Sequence, residues 1–248
     1  MTPRRTRAAA LTTGLLLSGL LLSGCGAGQG GQSNWRLDRD YPPAPQQQVP
    51  EPSAEPVTNP APLAELADPA WLQDAAERTQ IPLRALAAYA GASLRLAQTE
   101  PQCGIGWNAL AGIGAVESVH GSYQGARAGA DGTVTPPIIG VALDGSAGVM
   151  EILDTDDGAL DDDTQWDRAV GPMQFIPSTW AAYAQDGNLD GQADPQQIDD
   201  AALTAARYLC QSGDDVTTDD GWTAALAAYN RSVSYANDVT ELAESYIG

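Results

Sequence analysis

Over residues 67–248 apolar positions recur three and four apart, in short blocks separated by turn residues. That is the period of helices that bury one face. Asp68-Pro69 pairs a capping side chain with Pro at the first helical position, and Trp71, Leu72, Ala75 and Ala76 follow in phase. Ile81-Pro82 opens a second helix, with Leu83, Leu86, Ala87, Tyr89, Ala90 and Leu94 on its apolar side. A third is predicted over residues 105–119, and others near 178–184, 199–211, 222–228 and 235–246. Residues 121–170 are rich in Gly, Asp, Thr and Pro and read as a long irregular insertion. Within it, Ile138-Ile139-Gly140-Val141 alone has the character of a strand. The expected fold is mainly α, without internal repeats.

The N-terminal third follows a different pattern. Arg4, Arg5 and Arg7 precede an uncharged apolar run from Leu11 to Leu22. That run is shorter than the roughly 20 residues a membrane span needs and reads as a secretory signal. Leu22-Ser23-Gly24-Cys25 resembles a bacterial lipobox, in which cleavage precedes the Cys and diacylglycerol is attached to its sulfur. Residues 1–24 are therefore expected to be a lipoprotein signal peptide, with Cys25 lipidated. Residues 25–66 hold Gly, Gln and Ser, then eight Pro from Pro42 to Pro62. Such a composition favours extended, semi-rigid chain over a packed core, so a disordered Pro-rich tether is expected, with the working domain at 67–248.

Charge narrows the function. The chain of 248 residues carries 12 basic and 32 acidic groups, a net −20, and every basic residue is Arg. Nucleic-acid binding needs clustered Lys and Arg, and so does a polybasic membrane contact; both are excluded as expectations. Removing the signal takes away three Arg and no acid, leaving nine Arg against 32 acids, or −23.

Candidate chemistry begins at Glu117, the only charged residue of the segment 104–119. At helical spacing it shares a face with Leu110 and Gly114. A lone carboxylate on an apolar face is costly unless neutral, paired or useful, and burial raises its pKa. A Glu still protonated near neutral pH is what a general acid for glycosidic cleavage requires. A solvent-facing Glu at a fraying helix end is the plain alternative.

Ile113-Gly-Ala-Val-Glu117-Ser-Val-His-Gly121 resembles the catalytic-Glu segment of membrane-bound type B lytic murein transglycosylases. Val170-Gly-Pro-Met-Gln174-Phe-Ile-Pro-Ser-Thr-Trp180 resembles that family's second motif. Ala228-Tyr229-Asn230, followed by Ser232 and Tyr235, resembles the third. The resemblance implies a goose-type lysozyme-like helical domain acting on peptidoglycan glycan strands at the MurNAc–GlcNAc β-1,4 bond. It further implies Glu117 as catalytic acid and then base, closing a 1,6-anhydro ring, with Gln174, Tyr229 and Asn230 contacting the sugar. A muramidase-type hydrolase on the same fold would use a second carboxylate, and the Asp-rich stretch 154–167 has many, although its plain reading is a solvated acidic loop or a weak cation site. A non-catalytic peptidoglycan-binding lipoprotein is the remaining rival. No cofactor is expected for the chemistry, and a monomer is expected.

Asp186-Gly-Asn188-Leu-Asp190-Gly191-Gln192 places oxygens at alternate positions with Gly at the sixth, the spacing of an EF-hand loop. The twelfth position is Gln197 rather than Glu, and the resemblance suggests a longer loop closed by Asp200, with Asp199 a neighbouring candidate. A structural Ca²⁺ on Asp186, Asn188, Asp190, Gln192 and Asp200 is the expectation; an Asp/Asn/Gly turn without metal is the alternative. With Cys25 assigned to lipid, Cys103 and Cys210 remain in an exported chain, where disulfides persist, and are expected to pair. The only His, His120, is expected at the groove rim or in packing.

Overall fold

The computed structural model describes residues 40–54, 60–146 and 148–248. The expected signal peptide, the Cys25 lipidation site and the first part of the tether lie outside them. The described residues contain seven α-helices: α1 Pro69–Thr79, α2 Leu83–Thr99, α3 Trp107–Ser118, α4 Pro177–Tyr183, α5 Ile198–Gly213, α6 Asp219–Tyr229 and α7 Val233–Ser245. None of them is long and apolar enough to cross a membrane. Local signals placed the boundaries well. Asp68 accepts hydrogen bonds from the amides of Ala70 and Trp71, and Pro69 sits at the first turn of α1.

α3 is the centre of the molecule because its first two turns have no side that faces water. Every residue from Trp107 to Gly114 is buried, as expected for a helix apolar on all sides. It packs on α7 and α2, while α5 packs on α2 and α6. Small residues make this possible. A Cβ at Gly112 would lie 2.6 Å from the Val239 carbonyl oxygen, so α3 and α7 approach almost backbone to backbone. The buried Cys103–Cys210 disulfide, with Cα atoms 5.3 Å apart, ties the entry to α3 to the last turns of α5.

The expected tether differs in its C-terminal part. Residues 44–54 form a strap on the helical body. α3 has no side-chain cap of its own, and its first amides need partners. The strap supplies them: Trp107 N donates to Gln48 O at 3.0 Å, and Gly106 N donates to Gln47 Oε1 at 2.8 Å. The buried Asn108 side chain accepts from Gln48 N and donates to Gln46 O and Ala243 O. Further along, Ser53 N donates to Leu66 O and Asp68 N to Glu51 O. The globular unit therefore extends N-terminal of residue 67. Composition correctly signals that this segment has no core of its own; it serves the core of another.

The insertion is also more ordered than its composition suggests. It holds two antiparallel ribbons, β1 Arg127–Ala128 with β2 Val134–Thr135, and β3 Ile139–Ala142 with β4 Arg168–Val170. Arg84 of α2 makes a two-pronged ion pair with buried Asp199 of α5 and reaches Ala130 O, fixing the first ribbon to the helices. The acidic stretch is not simply solvated. Asp167 and Asp161 are buried and accept from Thr155 N and Oγ1 and from Arg168 N.

The disulfide closes a separation of 107 residues, and loss of such a link costs about 4–5 kcal/mol in the chain-entropy model. Alkylation of denatured, unreduced protein should therefore label neither Cys103 nor Cys210, and reductant should lower the Tm. Labelling of either without reductant would refute the bridge.

Candidate active site

Glu117 occupies the last turn of α3. Burial pushes its carboxyl up to about 7, against one opposing influence, the hydrogen bond from Tyr235. Tyr235 Oη donates to Glu117 Oε1 at 2.6 Å. Burial, and Glu117 itself, raise the Tyr235 pKa well above its ordinary value, so the phenol keeps its proton and remains a donor. The floor beneath is tightly set. A Cβ at Gly114 would lie 2.1 Å from the buried Tyr89 hydroxyl, so the Glu117 face of α3 admits only Gly one turn earlier. Beyond Glu117 the chain turns sharply: Val119, His120 and Gly121 all have positive φ. This conformation is costly for a β-branched residue. Ser118 holds it, donating to Pro172 O at 2.6 Å and accepting from Gly121 N at 2.8 Å.

That Ser118 bond joins the first motif to the second. Val170 and Phe175 exchange backbone hydrogen bonds, closing a turn in which Gln174 has φ +48°. Its amide donates to Gly171 O at 2.9 Å. Tyr229, at the end of α6, donates to Met173 O at 2.8 Å; burial raises its pKa well above the ordinary value. Its hydroxyl is thus committed to bracing the Gln174 turn. Asn230 is exposed, and its Oδ1 accepts from Ser232 N at the entry to α7.

Glu117, Gln174, Tyr229 and Asn230 all line one open groove of about 520 Å³. Phe175, Ile176 and Thr179 form one side; Tyr208, Ala228 and Arg231 form another. The insertion contributes Leu143, Val149, Met150 and Ile152. Glu117 is the only carboxylate among the described lining residues. His120 packs between Tyr89 and Tyr246, where burial lowers its pKa to about 4; it is a packing residue.

The five expected metal ligands lie away from the groove lining. Asp186 accepts from Asp190 N and Gly191 N, and buried Asp200 accepts from Gly187, Asn188 and Asp194 N. Among the described residues, the His, Cys, Asp or Glu group whose ligand atoms lie within 4.8 Å of one another is a different one, Asp154, Asp156 and Asp167. Sequence reasoning gave no role to Tyr235, although its place in the third motif was visible. It also missed the insertion wall and Arg231.

Residues 70–223, more than half of the chain, match the family described as transglycosylase SLT domain. The chain belongs to that family. It is a peptidoglycan lytic transglycosylase with a lysozyme-like helical fold. The matched stretch contains Glu117 and Gln174 and ends before Tyr229 and Asn230. SltB3 from Pseudomonas aeruginosa, solved in complex with NAG-anhNAM-pentapeptide, is similar at 17% identity over 71% of this chain and 67% of its own, with a TM-score of 0.39. No curated protein matches the chain.

A transglycosylase that needs Glu117 protonated should lose activity as pH rises through about 7. Tyr235 stabilises the charged carboxylate, so Tyr235→Phe removes a lowering influence and should move this alkaline limb to higher pH. A pH–rate profile on peptidoglycan checks the sign; a limb that stays in place would refute the Tyr235 assignment.

Proposed function

We propose that the enzyme cleaves the MurNAc–GlcNAc β-1,4 bond without water, leaving 1,6-anhydroMurNAc ends. The observation that carries this reading is the single carboxylate among the groove's described lining residues, half-buried, raised to about 7 and bonded to one phenol. Protonated Glu117 gives its proton to the glycosidic oxygen as the bond to the MurNAc C1 breaks. The resulting carboxylate accepts the Tyr235 hydrogen bond, which favours the charged form. It then takes the proton of the MurNAc C6 hydroxyl as that oxygen bonds to C1. The proton given is thus regained, and no water enters the balance. The N-acetyl group of MurNAc supports the cationic centre between the steps. Gln174 and Asn230 face the sugar, and Tyr229 holds the Gln174 turn. A hydrolase would need a second carboxylate for its water or its nucleophile, and none lines the groove among the described residues.

Mass spectrometry of digested sacculi tests this. Muropeptides one water lighter than reducing-end products are expected. Only reducing-end MurNAc would indicate a muramidase, and no released product a binding protein. Glu117→Gln should lower the rate by about 10²–10⁴ or more.

The same reading has the signal peptide 1–24 removed and Cys25 lipidated, holding a monomeric enzyme at the cell envelope. It also gives the loop between α4 and α5 a structural Ca²⁺ held by Asp186, Asn188, Asp190, Gln192 and Asp200. The loop already curls around Asp186, whose two oxygens take the amides five and six positions into the turn. Burial raises Asp200 to about 6 in spite of three amide donors, an environment that an added cation would relieve. Oxygen donors of this type suit Ca²⁺, which would brace the loop and take no part in the reaction. Ca²⁺ should therefore raise the Tm, and Asp190→Ala should abolish the rise; no shift with Ca²⁺ would refute the site.

A further inference from the structure

The groove carries two charged groups among its described lining residues, Glu117 and Arg231. Glu117 sits near its midpoint at neutral pH and is bonded to Tyr235. The one cation among those residues is the Arg231 guanidinium. This is unexpected on a chain of net −20 with no Lys. Arg78, Arg84 and Arg168 are spent on Asp74, Asp199 and Asp163. Arg231 is exposed and makes no ion pair with any described carboxylate.

Its backbone, by contrast, is fixed. Tyr41 Oη donates to Arg231 O at 3.0 Å. The neighbouring Asn230 and Ser232 lock the turn between α6 and α7, through Ser232 N to Asn230 Oδ1 and Tyr235 N to Ser232 Oγ. An exposed side chain thus projects from a hydrogen-bonded turn, beside Asn230 and four residues before Tyr235. The guanidinium also lies close enough to Tyr208 to oppose the burial that raises that phenol's pKa.

We infer that Arg231 is a specificity-determining residue that binds a carboxylate carried on the lactyl arm of a muramyl sugar. This rests on the reading of the groove as a glycan-strand site. The chain's overall charge repels an anionic strand at long range, but beyond about 10 Å that field is screened at ordinary salt. Inside the groove the nearest charge decides. A guanidinium offers a planar fork that pairs with a carboxylate through two hydrogen bonds. Neutral sugars offer it no such partner, whereas each muramyl unit has a lactyl arm ending either in a free carboxylate or in a peptide that bears carboxylates. Arg231 thereby distinguishes muramyl strands from neutral N-acetylglucosamine polymers.

Binding separates this from the reaction itself. Full-length, detergent-solubilised Glu117→Gln protein is compared with the Glu117→Gln/Arg231→Gln and Glu117→Gln/Arg231→Lys forms by calorimetry. Three soluble strands are used: peptide-bearing, peptide-stripped with free lactyl carboxylates, and stripped strands whose carboxylates have been converted to methylamides. The Arg231→Gln change should weaken binding about tenfold on a carboxylate-bearing strand and leave the methylamide strand unaffected. Lys should restore part of the loss, and added salt should narrow the difference. Loss on the peptide-bearing strand alone assigns the contact to the peptide; loss on the stripped strand assigns it to the lactyl group. Equal affinity of the Glu117→Gln and Glu117→Gln/Arg231→Gln proteins on all three strands would overturn the inference, as would an equal loss on the methylamide strand. Cleavage of the peptide-bearing strands by the parent protein reports separately on the reaction.

Discussion

The Glu117 carboxyl gives up much of its hydration at the end of α3 and receives one strong donor, Tyr235, in return. Burial and that bond pull its pKa in opposite directions. The balance leaves the group near 7, where it can both give and take a proton. Much of the fold serves to hold this balance. α3 must be apolar on every side to place its last turn inside the protein. α7 must lie close enough, across Gly112, for Tyr235 to reach. The positive-φ turn at Val119–Gly121 must then carry the chain away at once, and the Ser118 contact to Pro172 ties that turn to the Gln174 loop. The three motifs are thus one hydrogen-bonded unit: Ser118 to Pro172, Tyr229 to Met173, and Tyr235 to Glu117.

Part of this was legible in the sequence because its causes are local. Asp68-Pro69 announces a helix start with its own atoms. The apolarity of residues 105–116 announces a buried helix, and a single Glu inside it announces an electrostatic problem. Glu117, Gln174, Tyr229 and Asn230 do meet in one groove. What the sequence hid depends on distant partners. Residues 44–54 look like a tether because Pro-rich chain buries nothing of its own, yet they are recruited by amides of α3 some 60 positions away. Tyr235 looked like one more motif residue, since its value lies in a contact to Glu117 across 118 positions. Asp161 and Asp167 looked solvated because a carboxylate that caps a backbone turn reads like one that faces water.

The insertion changes the character of the groove. Helices and the Gln174 turn supply much of its lining, and Leu143, Val149, Met150 and Ile152 add an apolar flank. Met150 is 65% exposed, an arrangement that suits the apolar faces of sugar rings better than bulk water. Its position rests on short strands, two to four residues each, whose pairing no local pattern specifies. An acidic protein can in this way present a groove flank with no acid among its described lining residues.

The strap also bears on where this enzyme can be cut. The family match begins at residue 70, and a fragment started there would retain every residue of the groove. It would nonetheless strip Gln46, Gln47 and Gln48 from Gly106, Trp107 and Asn108, leaving unpaired polar groups at the head of the central helix, each costing roughly 1–3 kcal/mol. Tyr41 would go as well, and with it the bond that steadies Arg231. The smallest self-sufficient catalytic unit is therefore larger than the stretch that the family match covers, and its true beginning is a stretch of sequence that resembles a linker.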